Sequence, residues 1–180
     1  LHDDLFALFR DVRVPQLYTI GNHEYYIDTP RVLKLIEKNG IRILRNKAVE
    51  IAGLEVTGLE YMSEKSLKKD PHRVNNLTVE EEVPKIVRKG KLPQILFHHT
   101  PRGADFIARS GFDVMISGHT HDGQVFPGML FTRLMFPYEC GFYRIGNMTL
   151  FVSQGAGTFG PWMRLGTSNE IQLIRFVPAR

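Results

Sequence analysis

The stretch SGHTHDGQVFP, residues 117–127, places two histidines one residue apart directly after an apolar run. That run, FDVMISG at 112–118, predicts a buried strand, so His119 and His121 stand where the strand ends. Side chains at positions i and i+2 of an extended segment lie on the same side of it. The pair therefore fits two ligands in one site, with two structural histidines as the alternative that the spacing alone leaves open.

Two further predicted strands also end in polar residues. LYTI (17–20) runs into GNHEYY (21–26), and QILF (94–97) runs into HHTP (98–101). Ligands of α/β sheets bind at the carboxyl ends of the strands, so three strand ends that each carry histidine or asparagine are expected to converge on one site.

A metal site is the chemistry that this convergence favours. Imidazole nitrogens and the amide oxygen of Asn22 suit borderline divalent cations such as Mn, Fe, Zn, Co or Ni, whereas Mg or Ca would call for more carboxylates. His98 and His99 are consecutive on a strand and face opposite ways, so at most one of them points into the site. The other is expected to be packed or hydrogen-bonded.

The rest of the chain has the pattern of an α/β sandwich, in which strands alternate with helices before a β-rich tail. Apolar periodicity, caps and glycine positions predict helices over 1–12, 29–40, 78–90 and 103–111. Strands are predicted at 17–20, 42–45, 48–52, 54–59, 93–99, 112–118, 142–145, 148–153 and 170–177. We expect the last third of the chain to form a mostly antiparallel sheet.

Composition indicates one globular domain, with 43% hydrophobic residues in a chain of 180. The net charge of +4 favours anionic partners, but the basic residues are scattered, and the densest run, 65–73, predicts a solvated loop. No basic stripe with interleaved aromatic residues is present, which argues against a nucleic-acid partner. Cys140 is the single cysteine, and no run of about 18 apolar residues predicts a membrane-spanning helix.

Three motifs occur in a recognisable order, namely GNHE (21–24), HHTP (98–101) and GHTH (118–121). With them the chain resembles the calcineurin-like metallophosphoesterases, whose signature is D-x-H, GDxxD, GNH[DE], a lone H and GHxH. The continuation is similar to the small bacterial, often membrane-associated branch of that family, in which glycine usually stands at the position of Asp122. The resemblance implies a four-layer α/β/β/α sandwich.

The resemblance also implies site residues and a reaction. Asn22, His99 and His119 would bind one metal of a dinuclear centre, and His121 would help to bind the other. His23 would contact the phosphate and protonate the leaving oxygen. A hydroxide that bridges two divalent ions would attack a phosphomonoester, phosphodiester or pyrophosphate directly, without a covalent phosphoenzyme.

The D-x-H and GDxxD blocks do not precede GNHE in residues 1–20. We therefore expect residues 1–180 to be the C-terminal portion of a single metallophosphoesterase domain that is truncated at its N-terminus, with its first strands and other metal ligands upstream. The 180 residues alone are expected to bind metal weakly and to be less active than a longer chain. An upstream segment would decide between a membrane-associated or exported protein and a cytoplasmic one.

Two other functions stay open beside the hydrolase, which are an inactive scaffold with the same fold and a nuclease. The substrate would be a phosphorylated small molecule or a lipid-linked one, and a membrane surface is a candidate partner. The apolar stretch 125–143 is interpreted first as core and hairpin, and second as a lid for a lipid-like group. Trp162 and Met163 could line the mouth of the site, and the guanidinium of Arg164 could contact phosphate oxygens.

Overall fold

The structure, a computed structural model, describes residues 4–67, 73–87 and 90–177. Its helices are α1 (Asp4–Ala7), α2 (Thr29–Lys38), α3 (Val79–Ile86), α4 (Ala104–Arg109) and α5 (Gly128–Met135). Its strands are β1 (Leu17–Tyr18), β2 (Arg42–Ile43), β3 (Lys47–Ile51), β4 (Leu54–Gly58), β5 (Gln94–Phe97), β6 (Val114–Ser117), β7 (Gly141–Ile145) and β8 (Met148–Val152).

Helix α2 shows how local chemistry sets the bounds of an element. The Asp28 side chain accepts a hydrogen bond from the backbone N–H of Arg31 at 3.2 Å, and Pro30 occupies the first turn, where no intrahelical donor is needed. The helix ends before Gly40, whose φ of +81° lies in the left-handed region. The predicted helix over 29–40 is therefore confirmed.

A six-stranded mixed sheet forms the centre of the structure, in the order β3-β4-β5-β6-β8-β7. Its inner strands β4, β5, β6 and β8 are parallel, and the edge strands β3 and β7 pair antiparallel with β4 and β8. A separate sheet consists of the short parallel strands β1 and β2. Because neighbouring parallel strands end at one edge, the residues after β5 and β6 lie side by side.

Three hydrophobic clusters show how the layers stack. Leu96 and Met115 of the large sheet pack with Val83 of α3 and Ile107 of α4. On the other side of that sheet, Val56 and Phe97 belong to a cluster that includes Leu17 of β1. A third cluster joins Val32 and Ile36 of α2 to Tyr18 and Ile43 of the small sheet. The layers therefore follow in the order α3 with α4, large sheet, small sheet and α2. The predicted α/β fold class is confirmed.

Several predictions about local structure were wrong. The predicted helix over 1–12 is helical only at Asp4–Ala7 within the described residues, and turns follow it. The β-forming residues 170–177 adopt no strand, and Ile171 and Leu173 within them are almost fully exposed. The last third of the chain is not mostly antiparallel, because β8 pairs parallel with β6 and only the β7–β8 hairpin is antiparallel.

The stretch 125–143 fits its first interpretation as core and hairpin only in part, because Phe136 is buried and residues 141–143 belong to the β7–β8 hairpin. It contains α5, and none of the residues of α5 is buried. Helical spacing and apolar composition were both present in the sequence, but neither shows whether a second element covers the helix.

Within the described residues, none of the helices is both long and apolar enough to cross a membrane. Of the predicted solvated loop over 65–73, residues 68–72 lie outside the described part of the chain, and residues 65–66 form a turn.

Candidate metal centre

The ends of β5 and β6 bring His99 and His119 together. The backbone N–H of Gly118 donates to the carbonyl oxygen of His99 at 2.9 Å, which extends the pairing of the two strands by one step. The two imidazole rings meet edge to face with centroids 5.0 Å apart. The ring centroid of buried Tyr61 lies 5.9 Å from that of His99 and 5.8 Å from that of His119, so Tyr61 packs against both imidazoles.

The GNHE turn supplies an amide to the same place. Asn22 is buried, and its Nδ2 donates to the Tyr26 hydroxyl at 3.2 Å. Its Oδ1 is also buried but has no hydrogen-bond partner among the described residues. A buried amide oxygen without a partner costs free energy, so it indicates a position made for a ligand that the protein itself does not supply.

Two backbone features hold that turn against β5. The Glu24 carboxylate accepts a hydrogen bond from the N–H of Gly21 at 2.6 Å. A Cβ atom at Gly21 would lie 2.9 Å from Nδ1 of His99. Glycine is needed here because only its bare backbone leaves room for the imidazole ring.

The loop after β6 has an unusual backbone. His119, His121, Asp122 and Gln124 all have positive φ, at 73°, 53°, 51° and 54°. The left-handed region is costly for residues other than glycine, and strain of this kind concentrates at functional sites. Asp122 occupies a position where glycine would be unstrained, and aspartate tolerates this conformation better than most residues do.

The side chains gather around one pocket of about 230 Å³, lined among others by Asn22, His23, His99, His119 and His121. His23 is exposed and lies at the mouth, with its ring centroid 5.5 Å from Tyr26 and 5.4 Å from Phe159. Every residue predicted for the metals and for acid catalysis thus lines the same pocket. Their roles there remain predictions.

The environment favours the neutral form of two of these imidazoles, those of His99 and His121. Burial, reinforced by the neighbouring His23 and His121, lowers the pKa of His99 to about 4. Burial also lowers the pKa of His121, and the positive charge of Arg164 and the proximity of His23 add to the effect. A neutral imidazole offers a free nitrogen lone pair, which is the form that binds a divalent metal.

His98 lies in a different environment from its neighbour. It is almost fully buried and does not line the pocket. Burial, with a smaller contribution from His99, lowers its pKa to about 3, so this ring is also neutral near pH 7. The structure therefore places His99 in the pocket and His98 in the interior, as alternation along a strand requires.

Arg164 is bound by the protein itself. Its guanidinium donates to the carbonyl oxygens of His121 at 3.1 Å, Gln154 at 2.6 Å and Gly157 at 2.7 Å, and to Asn169 Oδ1 at 2.8 Å. It does not line the pocket. A phosphate contact from Arg164 stays a prediction, and it would require some of these bonds to be exchanged.

The comparisons with known proteins agree with this geometry. A model of the calcineurin-like phosphoesterase family matches residues 2–123, a range that contains GNHE, HHTP and GHTH.

The chain belongs to this family.

Relatives support the assignment. The chain is similar to an uncharacterized metallophosphoesterase of Campylobacter jejuni, with 33% identity over 87% of this chain and 41% of that protein. It is 31% identical to the "Transmembrane protein with metallophosphoesterase domain" of Danio rerio, over 90% of this chain and 38% of that protein. It is 23% identical to "Phosphodiesterase YaeI" of Escherichia coli, over 96% of this chain and 64% of that protein.

The chain spans about two fifths of the length of the curated relatives first matched. No solved structure matches it significantly.

Members of the calcineurin-like phosphoesterase family generally use divalent metal ions, and the donors present here fit such an ion. His99, His119 and His121 line one pocket together with Asn22, whose Oδ1 is buried without a hydrogen-bond partner among the described residues. Over residues 4–67, 73–87 and 90–177, no group of three histidine, cysteine or carboxylate side chains is arranged to hold a metal.

Sequence reasoning missed the residues that support the family motifs. Gln124 is buried, and its Nε2 donates to the carbonyl oxygens of Phe159 at 2.7 Å and Pro161 at 3.0 Å. Phe159, rather than Trp162 or Met163, lines the pocket. Gln124 follows GHTHDG directly, so its place in the motif was the one available signal, but the sequence does not show its distant partners.

Proposed function

We propose that the protein hydrolyses phosphoric esters with divalent metal ions held by Asn22, His99, His119 and His121. The observation that carries this proposal is the unpartnered Oδ1 of Asn22, a residue that lines the same pocket as the imidazoles of His99 and His119 from other strand ends. No hydrogen bond within the described residues accounts for this oxygen, and a metal would. Family membership supports a phosphoester hydrolase as the coarser conclusion.

The metal ions would activate water as a nucleophile near neutral pH and offset the negative charge that develops on the phosphoryl oxygens. The chain's own residues would orient them. His99 and His119 are fixed by strand pairing, Asn22 by its bond to Tyr26, and His121 by Arg164. We propose two ions from the group Mn, Fe, Zn, Co and Ni, because imidazole and amide donors suit borderline cations.

His23 would act on the substrate rather than on the metals. It is exposed at the mouth of the pocket, and aromatic rings flank it on two sides. From this position its imidazole would contact the phosphoryl group and give a proton to the leaving oxygen, as general acids do. Because one relative is named a phosphodiesterase, we propose a phosphodiester as the first substrate to test.

The test compares Asn22→Ala with the matched control Asn76→Ala, which changes an exposed loop asparagine. Metal content after purification and Mn²⁺ affinity by calorimetry are the first readouts, and hydrolysis of bis(p-nitrophenyl) phosphate is the second. We expect Asn22→Ala to weaken metal binding by about tenfold or more and to reduce hydrolysis in proportion, with Asn76→Ala unchanged.

Equal metal affinity in the two variants would contradict the assignment of Asn22. Bound metal without hydrolysis of any phosphoester would identify an inactive scaffold instead. Cleavage of DNA with no turnover of small diesters would identify a nuclease.

A further inference from the structure

The two sheets each supply part of the proposed metal centre. Asn22 follows β1 of the small sheet, whereas His99 and His119 follow β5 and β6 of the large sheet. Strand pairing fixes the two histidines relative to each other. It does not fix Asn22 relative to either of them, because β1 and β2 form a sheet of their own. Contacts between the two sheets must therefore set that separation.

Glu60, which lies just after β4 of the large sheet, provides such a contact. Its side chain is buried, and its Oε1 accepts a hydrogen bond from the Tyr25 hydroxyl at 2.7 Å. Tyr25 follows GNHE directly, and its backbone N–H donates to the carbonyl oxygen of Asn22 at 3.1 Å. A carboxylate from the large sheet thus holds the turn that carries Asn22.

The next residue, Tyr61, extends this contact to the histidines. Its buried ring packs against the imidazoles of both His99 and His119. Two consecutive residues after β4 therefore contact both parts of the centre. Glu60 binds the GNHE turn, and Tyr61 lies against the imidazoles.

Three further residues hold Glu60 and Tyr25 in place. The guanidinium of Arg45 forms an ion pair with Oε2 of Glu60, and the backbone N–H of Glu60 donates to Oδ1 of Asn46 at 2.8 Å. Nδ2 of Asn75 donates to the Tyr25 hydroxyl at 3.3 Å. A buried ion pair adds little net stability, because the cost of desolvation offsets the attraction between the charges. These directional bonds supply a defined position instead.

We propose that Glu60 is a positioning residue for the metal centre. Through Tyr25 it sets how far Asn22 lies from the two imidazoles. Neither Glu60 nor Tyr25 lines the pocket, so both act through Asn22 and not on the metal or the substrate. The effect on metal binding rests on the proposed function, whereas the position of the turn does not.

Tyr25→Phe tests this role, because it removes only the hydroxyl that Glu60 binds. The matched control is Tyr138→Phe, since the Tyr138 hydroxyl donates to a carboxylate oxygen of Asp105 at 3.0 Å and Tyr138 does not line the pocket. We expect Tyr25→Phe to weaken Mn²⁺ binding in calorimetry by about tenfold, as loss of a residue that supports a metal ligand does. Tyr138→Phe should bind Mn²⁺ as the parent does. Parental affinity in Tyr25→Phe, or equal weakening in both variants, would overturn the proposal.

Variants of Glu60 test whether the two residues act as a unit. Glu60→Leu should weaken Mn²⁺ binding as much as Tyr25→Phe does, and the double variant should lose no more than either single one. Glu60→Gln should retain part of the affinity, because its amide oxygen can still accept the hydrogen bond from Tyr25. Additive losses in the double variant would overturn the proposal.

Amide hydrogen exchange measures the position of the turn without metal. In the presence of a chelator, Tyr25→Phe should raise exchange in residues 21–26 and leave β5 and β6 as in the parent, because only the contact with the turn is lost. Unchanged exchange in residues 21–26 would overturn the proposal. Equal increases in the turn and in both strands would also overturn it, since they would indicate a general loss of stability.

The two measurements separate this proposal from the proposed function. A parent protein that binds no Mn²⁺ would count against the proposed function, and faster exchange of the turn in Tyr25→Phe would still support the role of Glu60. A parent that binds Mn²⁺ and hydrolyses bis(p-nitrophenyl) phosphate, with the same values in Tyr25→Phe, would support the proposed function and overturn the role of Glu60.

Discussion

Arg164 donates a hydrogen bond from Nη1 to the carbonyl oxygen of His121 at 3.1 Å, and its Nη2 lies 3.3 Å from Nδ1 of the same residue's ring. A single guanidinium therefore holds both the backbone and the side chain of His121, whose φ is left-handed. It also bonds the carbonyl oxygens of Gln154 and Gly157, which ties the loop after β8 to the loop after β6.

We predict that Arg164→Met destabilises the protein by about 2 kcal/mol, because several carbonyl oxygens lose a charged donor at once. Arg164→Lys should recover only part of this, since an ammonium cannot reach the same acceptors in a fixed plane. Urea unfolding measures the change. Arg144→Met, on the exposed β7–β8 hairpin, is the control and should cost clearly less. An Arg164→Met variant as stable as the parent would show that the hydrogen bonds from Arg164 contribute little to stability.

Gly21→Ala should disturb His99, because the added Cβ would lie 2.9 Å from Nδ1 of that ring. The ring or the turn must shift, and overpacking of this kind costs about 1–3 kcal/mol. We expect lower stability in urea and weaker metal binding by calorimetry. Gly157→Ala is the matched control, because open space surrounds that position and its φ is not left-handed. Similar losses in both variants would mean that the contact with His99 is not the cause.

Asp122→Gly should stabilise the protein by about 0.5–1 kcal/mol, because glycine adopts the left-handed φ of 51° without strain. Asp122→Asn, which also tolerates this conformation but carries no charge, should change stability little. Asp122→Val should be the most destabilising of the three. Thermal unfolding ranks them. If Asn and Val were equally destabilising, the carboxylate rather than the backbone would govern this position.

Acid should destabilise the protein through His98. Its pKa is lowered to about 3 in the folded state, against about 6.5 unfolded, so the unfolded chain binds more protons between these values. The contribution of His98 to the free energy of unfolding is therefore fully present above pH 6.5. It decreases as the pH drops, by about 2 kcal/mol between pH 7 and pH 5. Urea unfolding in the presence of a chelator measures the slope.

The control for this slope is a residue that does not titrate. His98→Met or His98→Gln should unfold with a pH dependence reduced by about one proton over the same range. A slope identical to that of the parent in a folded variant would show that His98 does not carry the effect.

The sequence predicted the elements whose signals are local. The apolar periodicity and closing glycine of α2 and the apolar runs of β5 and β6 are local signals, so the positions of these elements agree with the structure. The N-cap of α2 is Asp28, one residue before the predicted cap Thr29. Residues 170–177 and α5 depended on neighbours instead. Strand-forming residues need a partner strand, and an apolar helix is core only where another element covers it. The composition of a segment shows neither whether a partner strand is present nor whether another element covers a helix.

The site shows the same division. HHTP and GHTH follow neighbouring parallel strands, so the meeting of His99 and His119 could be predicted from topology. GNHE follows β1 of the separate small sheet, so the rule for one sheet does not by itself place Asn22 beside them. The hydrogen bonds from Arg164 and Gln124 span 43 and 35 residues. The left-handed residues after β6 were also not predicted, because nothing in the sequence GHTHDGQ indicates a positive φ for histidine or glutamine.

The bond from the N–H of Gly118 to the carbonyl oxygen of His99 has a consequence for how this fold tolerates insertions. The separation of His99 and His119 depends on the register of β5 and β6, and not on the length of the chain that joins them through α4. Residues gained or lost around α4 would leave the two imidazoles facing each other. One residue added within β5 or β6 would turn the following side chains to the opposite face of the sheet and dismantle the pair.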